Sequence, residues 1–406
     1  MTSSDVVIVG AGPAGLKAAV YLGRAGIDAC VVDEYPVAGG RLLGQRYRQR
    51  GHWWVGRKVA QELLDSLSAC PSVRLLLHTS VVGLSREDDR WQIRLSGADG
   101  NIEAKAVIVA TGASEVPIPV PNWTLPGVMT VGGAQVMANV HGVRPGQRGL
   151  IIGLGALSFA VAQELAWANV ELAGIVLPPF GPPFRWLGSV DEQWSRLVHW
   201  MHLAPIWMRP LQPALMRPQW CRRIMAAAPR RGLAVAGTRL RPNVRALRIV
   251  GDDRVQGVEL VPCQGDAEPS GKPWVEPVDF VCLSGGLRPV PDIVKAAGAA
   301  VLESPGGLYD VPVSGPLGET TAPGLFVAGN VLGIEGAQVA MAQGQLAALG
   351  TVCWLTHSPD RSLEQERAFL AELEEARRKT LILFDPAWPE VQCRAEQAWR
   401  SRGESH

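Results

Sequence analysis

Residues Asp5 to Asp33 form a succession of strand, glycine turn, helix and second strand, which strongly limits the possible folds of the chain. It reads VVIVG, then GAGPAG, then LKAAVYLGRAG, then DACVVD. In such a unit the glycines permit a tight turn, close approach of a pyrophosphate and close packing of helix on strand, and an acid about 20 residues on accepts hydrogen bonds from ribose hydroxyls. The unit predicts a Rossmann-like domain that holds a dinucleotide through Gly10, Gly12, Pro13, Ala14, Gly15, Asp33 and Glu34.

Length and composition narrow the class of protein. With 406 residues, 47% of them hydrophobic and 19% charged, the sequence predicts a globular chain of two or three domains. A formal net charge of +1 gives no field that would attract nucleic acid. The N-terminus has no export signal, so we expect a cytoplasmic protein. Polar residues interrupt the long apolar stretch 150–177, so membrane association is expected to be peripheral at most.

The seven cysteines are scattered and form no C-x-x-C pair. This spacing is unlike that of a local redox disulfide, a zinc ribbon or a clustered iron–sulfur ligand set. The seven histidines are equally dispersed, so no metal site is expected. No combination of side chains points to a catalytic acid, base or nucleophile.

Three later segments are similar to known cofactor-binding elements. They are VAGGRLLGQRY (37–47), AKAVIVATGASEVP (104–117) and TAPGLFVAGNVLGIEGAQVAMAQGQLAA (321–348). Together with the first unit they resemble the FAD-binding elements of the two-dinucleotide-domain flavoproteins, which include thioredoxin and ferredoxin reductases. The resemblance implies FAD contacts at Gly40, Arg41, Gln45, Val82, Ala110, Thr111, Gly112, Gly329, Asn330, Ala337 and Gln338.

The last of these segments also has a physical interpretation. A helix that begins near Ala337 would direct its positive end into the site and stabilise negative charge on a reduced flavin. The chain has Asn330 where the family usually carries aspartate. Asparagine keeps an acceptor oxygen for a ribitol hydroxyl but has no charge, so FAD binding is still expected.

A second strand–turn–helix unit begins at Gly149 and contains Gly153, Gly155 and Ser158 in the glycine-turn positions. Its following strand ends VLPP, without the acid that recognises NADH, and the first cation after it is Arg185. The unit therefore lacks both the acid that recognises the ribose of NADH and a nearby arginine that would recognise the 2′-phosphate of NADPH. We expect a Rossmann-like fold with weak or no NAD(P) binding.

The segment 178–231 interrupts this second domain. It combines five tryptophans with eight arginines and two acids. Tryptophan and arginine are enriched at protein interfaces, so the segment is a candidate docking surface with Trp194 and Trp207 as anchors. A helical insertion packed on its own domain and a membrane-surface helix remain alternatives.

The stretch IPVPNWTLPGVMTVGGAQVMAN (118–139) narrows the resemblance. It resembles the linker of the FAD-containing alpha subunits of heteromeric dehydrogenases, a group that includes dye-linked proline and hydroxyproline dehydrogenase, opine oxidase and hydrogen cyanide synthase. The resemblance implies a partner flavoprotein, the beta subunit, that oxidises the amino acid. Relatives carry a cysteine-rich module near the end, whereas this tail has only Cys393. No iron–sulfur cluster is therefore expected from this chain alone, and a small iron–sulfur protein is a further candidate partner.

The predicted fold is α/β, with two Rossmann-like dinucleotide-binding domains, a discontinuous FAD domain, a helical insertion and a helical C-terminal tail. The expected boundaries are 1–115 and 281–350 for the FAD domain, 116–280 for the second domain and 351–406 for the tail. The leading functional hypothesis is an FAD-binding subunit of a heteromeric oxidoreductase acting on an amino acid or related amine. The alternatives are a self-sufficient NAD(P)H-dependent flavin reductase and an FAD-stabilised assembly subunit without turnover.

Overall fold

A computed structural model describes residues 2–49, 52–97, 100–179, 232–235, 237–263, 271–305, 307–357, 363–380, 384 and 387–403. The chain divides into two compact units. The first contains Met1–Gln45, Val55–Ser114 and Arg288–His406, and the second contains Arg46–Trp54 and Glu115–Leu287. The tryptophan- and arginine-rich segment from 180 to 231, with Trp194 and Trp207, lies outside the described residues.

The first unit is built on a sheet whose strands are β1 (Thr2–Val9), β2 (Ala29–Val32), β5 (Val73–Leu76), β6 (Val81–Glu87), β7 (Arg90–Leu95), β8 (Asn101–Val109) and β21 (Leu325–Val327). Their order is β5-β2-β1-β8-β7-β6, and β21 pairs with β8. Strands β5, β2, β1, β8 and β21 are parallel, while β6 and β7 form an antiparallel meander with β8. Strands β2 and β21 are apolar and buried along their whole length, as expected for parallel strands that are covered on both faces.

The described part of the first unit has the helices α1 (Pro13–Arg24), α2 (Gly56–Ser68), α5 (Asp292–Ala296), α6 (Ala337–Thr356), α7 (Leu363–Lys379) and α8 (Trp388–Gly403). It also contains the 3₁₀ helices Gly40–Gly44 and Gly329–Val331 and the hairpin β19 (Val301–Glu303) and β20 (Asp310–Pro312). Helices α1 and α6 share one apolar core with β1, β2 and β8. Alanines supply much of that core, so these two helices pack closely.

The second unit contains β3 (Arg46–Gln49), β4 (His52–Val55), β10 (Val128–Thr130), β11 (Arg148–Ile152), β12 (Glu171–Leu177), β13 (Leu233–Val235), β14 (Thr238–Val250), β15 (Gly257–Pro262), β16 (Trp274–Pro277) and β17 (Phe280–Leu283). Its main sheet has the order β10-β17-β11-β12-β14-β15-β16, and β13 pairs with β14. Its helices within the described ranges are α3 (Val131–Asn139) and α4 (Ala156–Trp167). Strands β9 (Ala113–Glu115) and β18 (Leu287–Pro289) lie where the chain passes between the units.

The predicted class, two Rossmann-like domains with the first one discontinuous, is confirmed. Two details differ from the predicted boundaries. The hairpin segment Arg46–Trp54 belongs to the second unit, although its place in the sequence suggested the first. Helix α6 continues to Thr356, beyond the expected boundary at 350, and Val352 and Leu355 in its last turns pack against the apolar core of the first unit. Among the described residues, no helix is long and apolar enough to cross a membrane.

Candidate functional site

The glycine turn of the first unit is shaped by close backbone contacts. Gly10 has φ of 108°, and a Cβ placed on it would lie 2.5 Å from the carbonyl oxygen of Ala110. A Cβ on Gly15 would collide with the carbonyl oxygen of Gly10. These two positions therefore accept glycine alone, because the turn, α1 and β8 approach at backbone distance.

The middle glycine has a different environment. Gly12 is the N-cap of α1, and a Cβ on it would have no described heavy atom within 4 Å. Gly40 approaches it, since a Cβ on Gly40 would lie 3.0 Å from the Cα of Gly12. Open space at the positive end of a helix, bordered by a second glycine loop, fits the diphosphate of a dinucleotide.

Asp33 is held by backbone donors immediately after β2. Its Oδ2 accepts a hydrogen bond from the Ala11 N–H at 2.6 Å, and its Oδ1 accepts one from the Tyr35 N–H at 2.8 Å. Each carboxylate oxygen has a further lone pair for a ligand hydroxyl. The backbone N–H of the buried Thr79 donates to the Asp33 carbonyl oxygen at 3.0 Å, a contact that the sequence did not indicate. Glu34, in contrast, is exposed.

The end of β8 carries three of the predicted residues, Ala110, Thr111 and Gly112. The Thr111 hydroxyl donates to the carbonyl oxygen of Val290 at 2.7 Å. The Arg41 guanidinium donates from Nε and Nη2 to the Ala113 carbonyl oxygen at 3.1 and 3.0 Å. Arg41 is therefore fixed beside the Thr111–Gly112 segment.

Two further predicted positions lie near the edges of these elements. Gln45 follows the 3₁₀ helix Gly40–Gly44, and its carbonyl oxygen accepts a hydrogen bond from the Gly56 N–H at 2.9 Å. Val82 lies on β6 with 59% of its surface exposed. The described contacts give the Val82 side chain no anchoring role.

The C-terminal predicted residues meet the first turn of α1. β21 leads into Gly329, which has φ of 80°, and a Cβ there would lie 2.8 Å from the Cβ of Ala14. The half-buried Asn330 follows in the 3₁₀ helix, and α6 begins at Ala337 with Gln338 exposed in its first turn. The structure thus brings residues more than 300 positions apart to one helix start.

Gly344 contacts the backbone of Ala14, and the sequence did not predict this contact. A Cβ on Gly344 would collide with the Ala14 carbonyl oxygen and lie 2.8 and 2.9 Å from the Ala14 carbonyl carbon and Cα. Its signal in the sequence was a glycine inside the small-residue run AMAQGQLAALG, which indicates close helix packing but not the partner. Gly344 holds α6 against the first turn of α1.

The second glycine turn is built around a hydroxyl. Ser158 stands where the first unit has Gly15, and its buried Oγ lies 3.0 Å from the Gly153 carbonyl oxygen and 2.7 Å from Ser284 Oγ. Because a serine hydroxyl has one proton, Ser158 donates to Gly153 and accepts from Ser284. Gly153 corresponds to Gly10 of the first turn, whose carbonyl oxygen a side chain on Gly15 would strike. In the second turn the Ser158 hydroxyl instead forms a hydrogen bond with the Gly153 carbonyl oxygen, so this turn keeps its fold without a third glycine.

The strand that should end in a nicotinamide-recognising acid ends at Leu177. Pro178 follows, and its carbonyl oxygen accepts a hydrogen bond from Nη1 of Arg245 on β14 at 3.0 Å. Arg245 is buried. At the position of the ribose-binding acid, the described chain therefore presents a proline carbonyl that is already paired.

A buried carboxylate lies on α4 of the second unit. Glu164 is 3% exposed and accepts hydrogen bonds from Gln135 Nε2 at 2.9 Å and Asn139 Nδ2 at 2.7 Å, with the Arg46 N–H at 3.4 Å. Burial raises the pKa of Glu164 to about 7, although these three donors and the Arg46 charge act in the opposite direction. The hairpin β3–β4 thus meets α4 at a group that titrates near neutral pH.

This titration predicts a pH-dependent stability. The folded-state pKa of Glu164 lies above that of the unfolded chain, so the native state binds more protons and its stability falls as pH rises from about 5 to about 8. Glu164→Gln removes this dependence of stability on pH. The difference in the free energy of unfolding between variant and wild type therefore changes by about 2 kcal/mol between pH of about 5 and about 8. Urea unfolding at several pH values measures it. Glu171→Gln, at an exposed carboxyl of the same unit, keeps the wild-type slope; an equal slope in Glu164→Gln contradicts the assignment.

The described cysteines are all free: Cys30, Cys70, Cys263 and Cys282 are buried, Cys353 is half-buried and Cys393 is exposed. Within the described ranges, no three His, Cys, Asp or Glu side chains come together as a metal site. The described part of the chain therefore offers neither a disulfide nor a cluster of metal ligands.

Two Rossmann-like units, the first with an open glycine turn at the start of α1, are typical of dinucleotide-binding proteins. Comparison with known families shows which family the chain belongs to. Residues 4–344 match the pyridine nucleotide-disulphide oxidoreductase family. The chain belongs to that family and is an oxidoreductase.

Relatives of the chain include subunits of opine oxidase and of hydrogen cyanide synthase. The chain is 30% identical to an opine oxidase subunit of Agrobacterium tumefaciens over 97% of this chain and 76% of the relative. A hydrogen cyanide synthase subunit of Pseudomonas aeruginosa is 34% identical over 42% of this chain and 37% of that relative. The L-proline dehydrogenase of P. horikoshii has a similar fold, with a TM-score of 0.64 and 21% identity over 92% of this chain and 59% of that chain. The resemblance expected from residues 118–139 is confirmed.

Proposed function

We propose that this chain is the FAD-binding subunit of a heteromeric oxidoreductase that oxidises an amino acid or related amine. The observation that carries the proposal is the cradle at Gly12, where α1 begins in open space between the Gly40 loop and the anchored carboxylate of Asp33. The similarity to the Agrobacterium opine oxidase subunit over 97% of the chain supports the role of a subunit. FAD, when bound, supplies the electron-transfer chemistry.

The chain's own residues would hold the cofactor by position. The backbone at Gly12 and the start of α1 would bind the diphosphate, and Asp33 would accept hydrogen bonds from ribose hydroxyls. Asn330 and the N-terminus of α6 would lie toward the ribitol and the flavin. The role of this subunit's side chains is therefore to bind and orient the cofactor.

We propose further that the second unit binds NAD(P) weakly or not at all. Pro178 with its Arg245 partner, in the place of a ribose-binding acid, supports this. The partner would be an amino-acid-oxidising flavoprotein, and a small iron–sulfur protein is a second partner of suitable chemistry. A cytoplasmic location fits this role.

The deciding experiment uses the FAD-loaded chain, alone and in complex with a flavoprotein encoded beside it. Under anaerobic conditions we expect NADH and NADPH at micromolar concentration to leave the flavin of the isolated chain oxidised. In the complex we expect a panel of amino acids to include one that bleaches it. Bleaching of the isolated chain by NADH would select a flavin reductase instead. A complex whose FAD on this chain is never reduced would select an assembly subunit.

Asn330→Asp tests the ribitol end of the site. We expect FAD affinity to be kept or raised, because aspartate has the acceptor oxygen of asparagine and adds charge to the hydrogen bond. Quenching of FAD fluorescence on binding measures the Kd. A large loss of affinity would show that the amide N–H₂ of Asn330 is itself required.

A further inference from the structure

A buried chain of hydrogen bonds links the loop before α6 to the C-terminal helix α7. The Gly329 N–H donates to Gln343 Oε1 at 3.1 Å, and Gln343 Nε2 donates to Glu335 Oε2 at 3.2 Å. Arg377 of α7 then donates to both Glu335 oxygens, from Nε at 2.8 Å and from Nη2 at 3.1 Å. Two-point contact between a guanidinium and a carboxylate fixes direction as well as distance.

The charges along this chain are poorly solvated. Gln343 and Glu335 are 7% and 9% exposed, and the Arg377 side chain is 23% exposed. Burial by itself lowers the pKa of Arg377, but its hydrogen bonds to Glu335 and Glu374 raise the pKa by more than burial lowers it, so the guanidinium stays charged. Removing one partner of such a pair leaves an uncompensated buried charge.

Glu335 lies at the start of α6, where its charge affects the positive end of the helix. Glu335 immediately precedes Gly336, the N-cap of α6, whose positive end would face the flavin. A carboxylate at a helix start offsets the positive end of the helix. Arg377 neutralises Glu335 and so leaves the helix end available to stabilise negative charge elsewhere.

The C-terminal segment contacts the same loop at a second point. A Cβ on Gly333 would collide with the indole ring of Trp388, the first residue of α8. Trp388 is 7% exposed and packs with Val311 and Val391. Helices α7 and α8 thus both contact the loop between Gly329 and Gly336: α7 through the ion pair of Arg377 with Glu335, and α8 through the Trp388 ring.

We propose that Arg377 is a positioning residue of the FAD site: by pairing with Glu335 it holds the Gly329–Gly336 loop in place and prevents the Glu335 carboxylate from opposing the N-terminus of α6. This inference rests on the proposed function, since it requires that FAD bind to the first unit. It assigns the C-terminal tail a part in setting cofactor affinity and the ease of flavin reduction.

The test compares Arg377→Met with Arg378→Met, whose parent side chain is exposed and pairs with Glu375. For Arg377→Met we expect the Kd for FAD to rise about tenfold and the midpoint potential of the bound flavin to become more negative. Arg378→Met should match wild type in both. Adding Glu335→Gln to Arg377→Met removes the uncompensated charge, so the potential should return toward that of wild type.

Thermal stability alone does not decide the outcome. An Arg377→Met chain with unchanged Kd and unchanged potential overturns the proposal, even if its Tm falls. If that variant does not fold, Arg377→Lys replaces it: lysine keeps the charge but not the two-point contact, so the potential stays and the Kd rises, and an unchanged Kd overturns the proposal. A wild-type chain that takes up no FAD overturns the proposed function as well, which separates the two failures.

Discussion

Gly12→Val is expected to abolish FAD binding, with a Kd raised about 100-fold or more, while the protein stays folded. Gly12 has φ of −76°, which valine tolerates, and its Cβ would enter space free of described atoms. The branched side chain would therefore cost the fold little and occupy the place of the diphosphate. Flavin absorbance after reconstitution and gel filtration measures the loss, and a circular dichroism melt shows that the fold remains.

Gly155→Val is the matched control in the second unit. Gly155 is the N-cap of α4 with φ of −162°, and its Cβ would meet Ser284 Oγ and Ser158 Oγ at ordinary contact distances of 3.5 and 3.6 Å. This variant should retain full FAD content. Normal flavin binding by Gly12→Val, or equal loss in both variants, would contradict the placement of the cofactor at α1.

Gly344→Val is expected to destabilise the first unit by about 3 kcal/mol or more. The new Cβ would strike the backbone of Ala14, and a backbone in the first turn of α1 cannot rotate aside as a side chain can. Helices α1 and α6 would have to separate, which also displaces Gly329 from Ala14. The free energy of unfolding in urea and the FAD content should therefore fall together.

Met341→Val serves as the control, because it places the same β-branched residue in α6 at a half-buried position. It should cost no more than about 1 kcal/mol, which covers the change in helix propensity. If Gly344→Val does not accumulate as folded protein, Gly344→Ala supplies a measurable intermediate. A wild-type free energy of unfolding in either Gly344 variant would show that α1 and α6 are not in backbone contact.

Some of the candidate site could be predicted because it depends on short-range rules. The turn from β1 into α1 needs glycine at 10 for its positive φ and at 15 because a Cβ there would strike the Gly10 carbonyl oxygen, and both reasons act within a few residues. The glycine at 12 leaves room for a diphosphate. Asp33 follows from the length of the helix and strand between. The break in the second nicotinamide pattern, where Pro178 follows the strand, is also visible in the sequence.

Other features depend on which distant segments meet. Ser158 takes the place of the third glycine in the second turn, and Ser284, more than 100 residues later, completes its hydrogen bonds. The segment Arg46–Trp54 was placed by its position in the chain, but its charged and aromatic side chains pack on the second unit, where Arg46 lies 5.3 Å from the ring centroid of Trp53 and 5.9 Å from that of Trp167. No local pattern contains that information.

The fold class, the glycine turn with its acid, and the family follow from residue spacing along continuous stretches of the chain. Three contacts follow only from the folded structure: Gly344 with Ala14, Arg377 with Glu335 and Trp388 with Gly333. These partners come from separate helices and loops, and their pairing follows from how apolar faces pack and how buried charges find partners. The type of a residue indicates that it needs a close neighbour or a counter-charge. Which distant residue provides that neighbour or charge follows only from the packing of the helices and loops.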